Sequence, residues 1–556
     1  MKTSKILLLM LGGALLATSC NDLNEQDIKA NGISQAEMEK VLAAVPSRID
    51  ASFSGMISYL GRGGTSGLRN NGRPDDFGAP SWALSLDMEG ADMAMGDNPY
   101  NWFSVADQLL SRNANYANPY ERYIIPYIQC GVAQTIIKSY PEGTTNEDAL
   151  HHIAEAKAIE AYDYMCLAPY FQFGYSSAQD KPCIPIIKEG VDATNNPRAT
   201  VKEVYEVILQ DLDYAVEHLK GYTRPNKQYI DLNVAYGLRA RANLLIGNYA
   251  AAAEDAKKAM EGYTPATRDE VKEPGFDDIN SHNWMWGIIK TDADMQDNDG
   301  DGQYQNPSAW FSGFSGDGYS AATGNTPVIN KLLWDKIPAT DIRKGWWLDG
   351  KKHSDNWANI SWDYTDGDTK KSAKGDAIAD LVIKDVKLAF EPYTNIKFGQ
   401  KSGIGSTVNT NDFPLMRVEE MILIEAEGLA KSGHEAEAKQ VLENFVKNYR
   451  DPNYNVNGRG LSLADEIWFQ RRVELWGEGF YTADAKRLGK PIVRFHQGVE
   501  NNFPSAFQFN IKADDGWLNM RFPQTEMDNN KGIVDNQGGS LPVAGQNGNL
   551  RDGVTD

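Results

Sequence analysis

The sequence predicts a mostly α-helical protein, a tetratricopeptide-like helical-repeat scaffold interrupted by a large irregular, loop-rich insertion. Three observations carry that expectation. Amphipathic stripes at helical spacing recur across residues 34–262 and return after 416. A turn glycine followed by small or apolar residues at fixed offsets occurs in both halves, as in stacked helix pairs. Between them, residues 263–415 lose any sustained period.

The first element is not part of that body. Lys2 and Lys5 precede an apolar run, Ile6 to Leu16, and the small residues Ala17, Thr18 and Ser19 lead to Cys20. A basic start, a short apolar core and a small-residue cleavage site make a secretory signal over residues 1–19. The run is shorter than the roughly 20 residues needed to span hydrocarbon. Small residues before a lone cysteine resemble the bacterial lipobox, which makes Cys20 the expected lipidation site. Residues 20–33 are polar and acidic and read as a tether.

The whole chain is acidic, with a formal charge of −21 over 556 residues. Nucleic acid is therefore not an expected partner, since phosphates demand clustered Lys and Arg. Cys130, Cys166 and Cys183 are odd in number and have no His or second Cys at ligand spacing, so they read as small buried apolar groups.

Residues 34–262 are expected to form the first repeat region. Ser34 and Glu37 make a capping box before the stripe Met38, Val41, Leu42 and Val45. Residues 61–104 break the pattern with a Gly-, Asn- and Pro-rich loop. Helices are expected over Pro119–Tyr140, Glu147–Leu167 and Thr200–Leu219. In the next pair Gly247 precedes Ala252, Ala256 and Ala259. The later pair places Gly433 before Ala438, Leu442 and Phe445 at the same offsets. The glycine closes the turn, and the small residues let the two helices approach.

The insertion, 263–415, holds eight of the 13 tryptophans, which argues against disorder. Residues 416–556 bring back repeat helices and end in a polar tail. A late helix there carries Arg471, Arg472, Glu474, Leu475, Glu478, Gly479, Asp484, Lys486 and Arg487. Charges of both signs at this spacing are expected to form a structural ion-pair network rather than an anion site.

Taken together, the chain resembles the SusD/RagB family of outer-membrane lipoproteins. The likeness rests on the lipobox followed by acids, the split repeat pairs, the Arg-Arg-x-Glu-Leu…Glu-Gly…Asp-x-Lys-Arg helix just quoted, and a Pro-x-x-Glu…Asn motif at Pro523, Glu526, Asn529 and Asn530. Trp476–Gly477 and Ala485 depart from the commoner pattern. The resemblance implies a non-enzymatic, surface-exposed binder of nutrient ligands, mostly glycans. It would be held by lipid to the outer membrane, facing the cell exterior, as a lid on a SusC-like TonB-dependent β-barrel. Some relatives are expected to take peptides instead. A surface glycoside hydrolase is the third reading, but no carboxylate pair, nucleophile elbow, HExxH or P-loop marks one.

Sugar faces stack on aromatic rings borne by loops, with neighbouring polar groups bonding the hydroxyls. The candidates are Trp82, Tyr100, Trp102, Trp284, Trp286, Trp310, Phe311, Phe314 and Tyr319. Trp310, Phe314 and Tyr319 lead, because their Gly and Ser neighbours offer little mass to bury them, followed by Trp102. Trp284 and Trp286 alternate as in a strand, for which a buried face is the competing reading. No cofactor is required. Asp297, Asp299 and Asp301 before Gly302 match the opening of a calcium loop, but its twelfth position is Ser308. That stretch reads either as a calcium site completed by Asp292 or Asp294, or as a solvated acidic turn.

Overall fold

The computed structural model describes residues 47–61, 75–96, 103, 106, 109–188, 190–291, 310–316, 326–381, 390–408 and 410–556. The signal, Cys20, the tether and the helix expected from Ser34 lie outside the described residues.

The fold is mostly helical. Its longer helices are α1 (Ser47–Ser58), α2 (Ala79–Met88), α3 (Ala117–Lys138), α4 (Glu147–Phe171), α5 (Val201–His218), α6 (Leu232–Ile246), α7 (Tyr249–Ala259), α8 (Val418–Lys431), α9 (Glu435–Tyr449), α10 (Leu463–Glu474) and α11 (Tyr481–Leu488). From α3 to α9 each helix packs on the next, so α7 meets α8 directly across the insertion. The repeat therefore continues as one stack although the chain leaves it for more than 150 residues. Stacking neighbours is what lets such helices bury faces that none could bury alone.

Local sequence explains the helix limits. Thr200 caps α5 by accepting from Glu203 N, while Glu203 returns a carboxylate to Thr200 N at 2.8 Å. Gly247 ends α6 at φ 83°, the left-handed geometry that glycine adopts without a Cβ penalty. The predicted close crossings are present: Ala252, Ala256 and Ala259 are fully buried, and a Cβ on Gly428 of α8 would lie 2.5 Å from Tyr249 O.

The short strands all pair antiparallel: β1 (Met93–Ala94) with β3 (Val328–Ile329), β2 (Trp284–Ile288) with β6 (Phe413–Arg417), β4 (Ser361–Asp366) with β5 (Thr369–Lys374), and β7 (Ile492–Val493) with β8 (Asn510–Ile511). The β2–β6 pair ties the two ends of the insertion together just before the chain re-enters the stack at α8. Every residue of β2 is buried, so both faces of the WMW strand are covered. The insertion has its own satellite core around Phe314, Leu348, Trp357 and Phe390. Cys130 and Cys183 are buried thiols, whereas Cys166 is only half-buried.

Candidate functional site

Residues that border the stretches expected to carry ligand contacts touch one another. Lys290 Nζ donates to Gly61 O, joining the residues that precede stretches 62–74 and 292–309. Phe103, beyond 97–102, packs on Phe77 at 6.0 Å and edge-on against Trp310 at 4.8 Å. Asn395 Nδ2 donates to Phe311 O at 2.9 Å and to Pro327 O at 3.2 Å, bridging the two sides of 317–325. Residues bordering four stretches of the chain are thus held to one another or to the scaffold by these contacts.

The ring assignments divide sharply. Trp310 and Phe314 are 0% and 1% exposed, and Trp82 and Trp284 are 2% and 1% exposed; Trp286 and Phe311 are buried as well. Trp82, Trp310, Phe311 and Phe314 are thus buried rather than ligand-facing, and for Trp284 and Trp286 the buried-strand reading is the one the structure shows. Gly and Ser neighbours do not leave Trp310 and Phe314 bare, because their packing comes from distant segments. Phe103 covers Trp310, while Phe390 and Trp357 meet Phe314 at 5.3 and 6.1 Å. Large aromatics are the most valuable core residues a loop-rich insertion has. Of the twelve described tryptophans, eleven are buried and Trp334 is half-buried. Tyr100, Trp102 and Tyr319 lie outside the described residues, as do Asp297, Asp299 and Asp301. Among the described residues no group of three or more His, Cys, Asp or Glu is placed to hold a metal ion.

The late charged motif is a buried clasp between scaffold and insertion. Glu474, at the end of α10, accepts from Arg450 Nε at 2.8 Å, Arg343 Nη1 at 3.1 Å and Arg417 Nη1 at 3.3 Å. Burial alone would raise its carboxyl, but these guanidiniums hold it well below the ordinary carboxylate range. Glu478 takes Arg417 and Lys397, both at 2.8 Å. Arg472 is bidentate to Asp92 and reaches Asp552 at 2.6 Å, while Arg471 and Arg487 share Asp484, each at 2.8 Å. Lys486 donates to Gln172 O at 3.2 Å, Asn519 Oδ1 at 2.9 Å and Pro169 O; burial pushes its ammonium well below the usual range. The later motif works the same way: Asn530 accepts from Asn196 N at 2.9 Å and donates to Asn196 O at 2.8 Å, clamping a distant turn.

Between α10 and α11 the chain bends around Asp87. Its Oδ2 accepts from Gly477 N at 2.7 Å and Gly479 N at 3.1 Å, and its Oδ1 from Tyr481 N at 3.2 Å. Burial nevertheless pushes the carboxyl up to about 7. Gly479 has φ 86°, and a Cβ there would sit 2.5 Å from Ala83 Cα on α2. Gly479→Ala is expected to cost about 3 kcal/mol, combining left-handed strain with overpacking. Gly489→Ala is the control: its φ of 64° is also positive, but nothing lies within 4 Å of its Cβ position. It should cost about 1 kcal/mol. Urea midpoints of the two variants measure the difference, and equal midpoints would show that α2 does not abut this turn.

The fold and clasp define a helical-repeat binding scaffold with a loop-bearing insertion. The SusD family model matches residues 346–538, the part that carries the late charged motif. Over those residues the chain is similar to the SusD family. That family is one of non-catalytic binding proteins. Among solved structures, a SusD-like carbohydrate binding protein from Bacteroides vulgatus is 20% identical, covering 88% of this chain and 97% of its own, with a TM-score of 0.66. A SusD superfamily protein from Bacteroides thetaiotaomicron is 19% identical over 88% and 99%, at 0.63. A laminarin binding SusD-like protein is 17% identical over 88% and 99%, at 0.58. At these identities the likeness establishes the fold. No curated protein sequence matches. Among the described residues no helix is long and apolar enough to cross a membrane.

Proposed function

We propose that the protein is a cell-surface lipoprotein that binds oligo- or polysaccharide and delivers it to a SusC-like TonB-dependent barrel in the outer membrane. Cys20 is its lipid attachment. The observation that carries the reading is the SusD family match, joined to relatives named for binding carbohydrate and laminarin. The stretches bordered by those contacts supply the place, and Tyr100, Trp102 and Tyr319 are the rings proposed to stack on sugar. With eleven tryptophans committed to the core, Trp102 gains weight as a contact. Asp297, Asp299 and Asp301 are proposed to hold a structural calcium ion that orders their loop.

Native gels containing laminarin and other polysaccharides test this on the chain lacking residues 1–20. Retardation without release of reducing ends is expected with at least one glycan. Trp102→Ala and Tyr319→Ala should each weaken retardation about tenfold, since one stacked ring contributes roughly 0.5–1.5 kcal/mol beyond its buried area. Calcium chelation should weaken it too. Binding of oligopeptides alone would overturn the glycan reading, and unchanged migration of both variants would overturn the ring assignment.

A further inference from the structure

Just past the C-terminal end of α4 an open cleft of about 570 Å³ is lined by residues drawn from 172–182, 197–198 and 519–537. Its walls are bonded to one another. Arg198 Nε donates to Cys183 O at 2.9 Å, Nη1 to Val534 O at 3.0 Å, and Nη2 to Asn536 Oδ1 at 2.8 Å and to Pro182 O. Asn536 Nδ2 in turn donates to Phe171 O and Met520 O, both at 2.8 Å, and Gln172 Nε2 reaches Pro182 O at 2.8 Å. The cleft is therefore shaped before a ligand arrives, and its volume is in the range usual for small-molecule sites.

We propose that this cleft binds an acidic oligosaccharide, a uronate whose carboxylate is held by Lys181 in the field of Arg198 and Arg521 and whose ring stacks on Phe173. Charge carries the argument. Lys181 and Arg198 line the space, and Arg521 stands behind it, donating to Gly538 O at 2.6 Å. Arg198 and Arg521 bond only carbonyl and amide oxygens, and Lys181 is exposed, so none of the three forms an ion pair among the described residues. Asp535 is the one carboxylate in the lining, and its Oδ1 is taken by Phe522 N at 2.7 Å and Asn536 N at 2.8 Å. It attracts both guanidiniums without pairing with either, which leaves three cations to one anion on a chain of net charge −21. A cleft lined mainly by one sign of charge focuses its field on an incoming ion of the other sign. The remaining lining suits a sugar as bearer of that ion. Phe173 is half-buried and offers a ring face, while the exposed Ser177 and Gln537 offer a hydroxyl and an amide for ring hydroxyls. The choice of a sugar rests on the glycan reading above; the place and the charge do not.

Calorimetric titration of the chain lacking residues 1–20 with digalacturonate, its dimethyl ester and inorganic sulfate tests the proposal. Saturable digalacturonate binding is expected, roughly tenfold tighter than that of the ester or sulfate and weakening as salt rises. Lys181→Glu changes an exposed side chain and should abolish binding without lowering the unfolding temperature. Phe173→Leu keeps apolar bulk but removes the flat face, and should weaken binding about fivefold. Arg198 is left intact because it ties the walls together. Trp102→Ala and Tyr319→Ala should bind digalacturonate as the parent does, and Lys181→Glu should leave retardation by neutral glycans unchanged. Absence of saturable digalacturonate binding, equal affinity for the ester or for sulfate, binding undiminished by Lys181→Glu, or its loss in Trp102→Ala would each overturn the assignment. Neutral-glycan retardation without digalacturonate binding overturns the cleft alone, whereas digalacturonate binding that depends on Lys181 supports the cleft even where neutral glycans fail to retard the protein.

Discussion

Glu474→Ala is expected to destabilise the protein by about 5 kcal/mol or more at neutral pH, enough to cut soluble yield severely. Glu474 is fully buried and touches three guanidiniums that are fully buried themselves. Removing one partner of a buried pair costs about 3–5 kcal/mol because the other charge stays behind in low dielectric. Here one deletion leaves a cluster with Arg343, Arg417, Arg450 and Lys397 against Asp341, Glu419 and Glu478. Glu443→Ala is the contrast. Its contact with Lys447 is 4.0 Å long and half-exposed, so the loss should stay within about 0.5 kcal/mol. Urea midpoints and soluble yield of the two variants make the comparison, and a Glu474→Ala protein as stable as Glu443→Ala would show that the clasp is not a structural element. The pH sign follows from the depressed carboxyl. Glu474 contributes its full stabilisation above the ordinary carboxylate range, and loses it only as pH falls through its lower folded value. Glu427, held at about 2 by Arg487 against the opposing effect of burial, behaves alike.

The clasp shows which signals a sequence carries. Arg471, Arg472, Glu474, Glu478, Asp484, Lys486 and Arg487 could be recognised as a network because they lie close together along the chain. Their partners could not. Asp87 with Asp92, Arg343, Lys397 and Glu427 come from four distant places, and nothing local marks them out. The same division runs through the fold. The helix pairs at Gly247 and Gly433 and the helix after Thr200 were legible because turns, caps and 3.6-residue stripes are local features. The direct packing of α7 on α8 across the insertion had no local signal, because residues 260–417 separate the two helices. Trp310 and Phe314 show where local reading fails: exposure is decided by what folds over a ring, and Phe103, Phe390 and Trp357 are remote. The sequence reads this stretch as one helix running into a loop, and α11 does not stand out as a second helix, since the eight residues YTADAKRL carry too few apolar positions to show a stripe. Its helix forms because Tyr481, Ala485 and the buried stems of Lys486 and Arg487 find partners elsewhere.

Stability should fall as pH rises from about 4 to 8, and Glu155→Gln should remove a large part of that fall. Glu155 sits on α4, inside the stack, where burial pushes its carboxyl up to about 8 despite hydrogen bonds from the Tyr222 hydroxyl and from Ile230 N at 2.8 Å. Asp231 adds to the rise and Arg224 opposes it, while Glu155 Oε1 has no partner among the described residues. A carboxyl whose folded pKa exceeds its unfolded value binds its proton more tightly in the native state. Its stabilisation is complete below the unfolded pKa, about 4.3, and is lost as pH climbs through the folded value. At about 1.4 kcal/mol per unit, the span to about 8 sets an upper limit near 5 kcal/mol for this residue. Glutamine keeps the acceptor for Ile230 N and carries no charge. Glu155→Gln should therefore match the parent near pH 4 and exceed it by several kcal/mol at pH 9. Parallel stability profiles for parent and variant would refute the assignment. Asp87, also raised by burial, to about 7, bends the parent curve in the same direction, so the reading is the difference between the two proteins rather than either slope. A scaffold with protonated carboxyls in both the stack and the clasp is held most firmly on the acid side of neutrality, and binding assays on its loops should be run there.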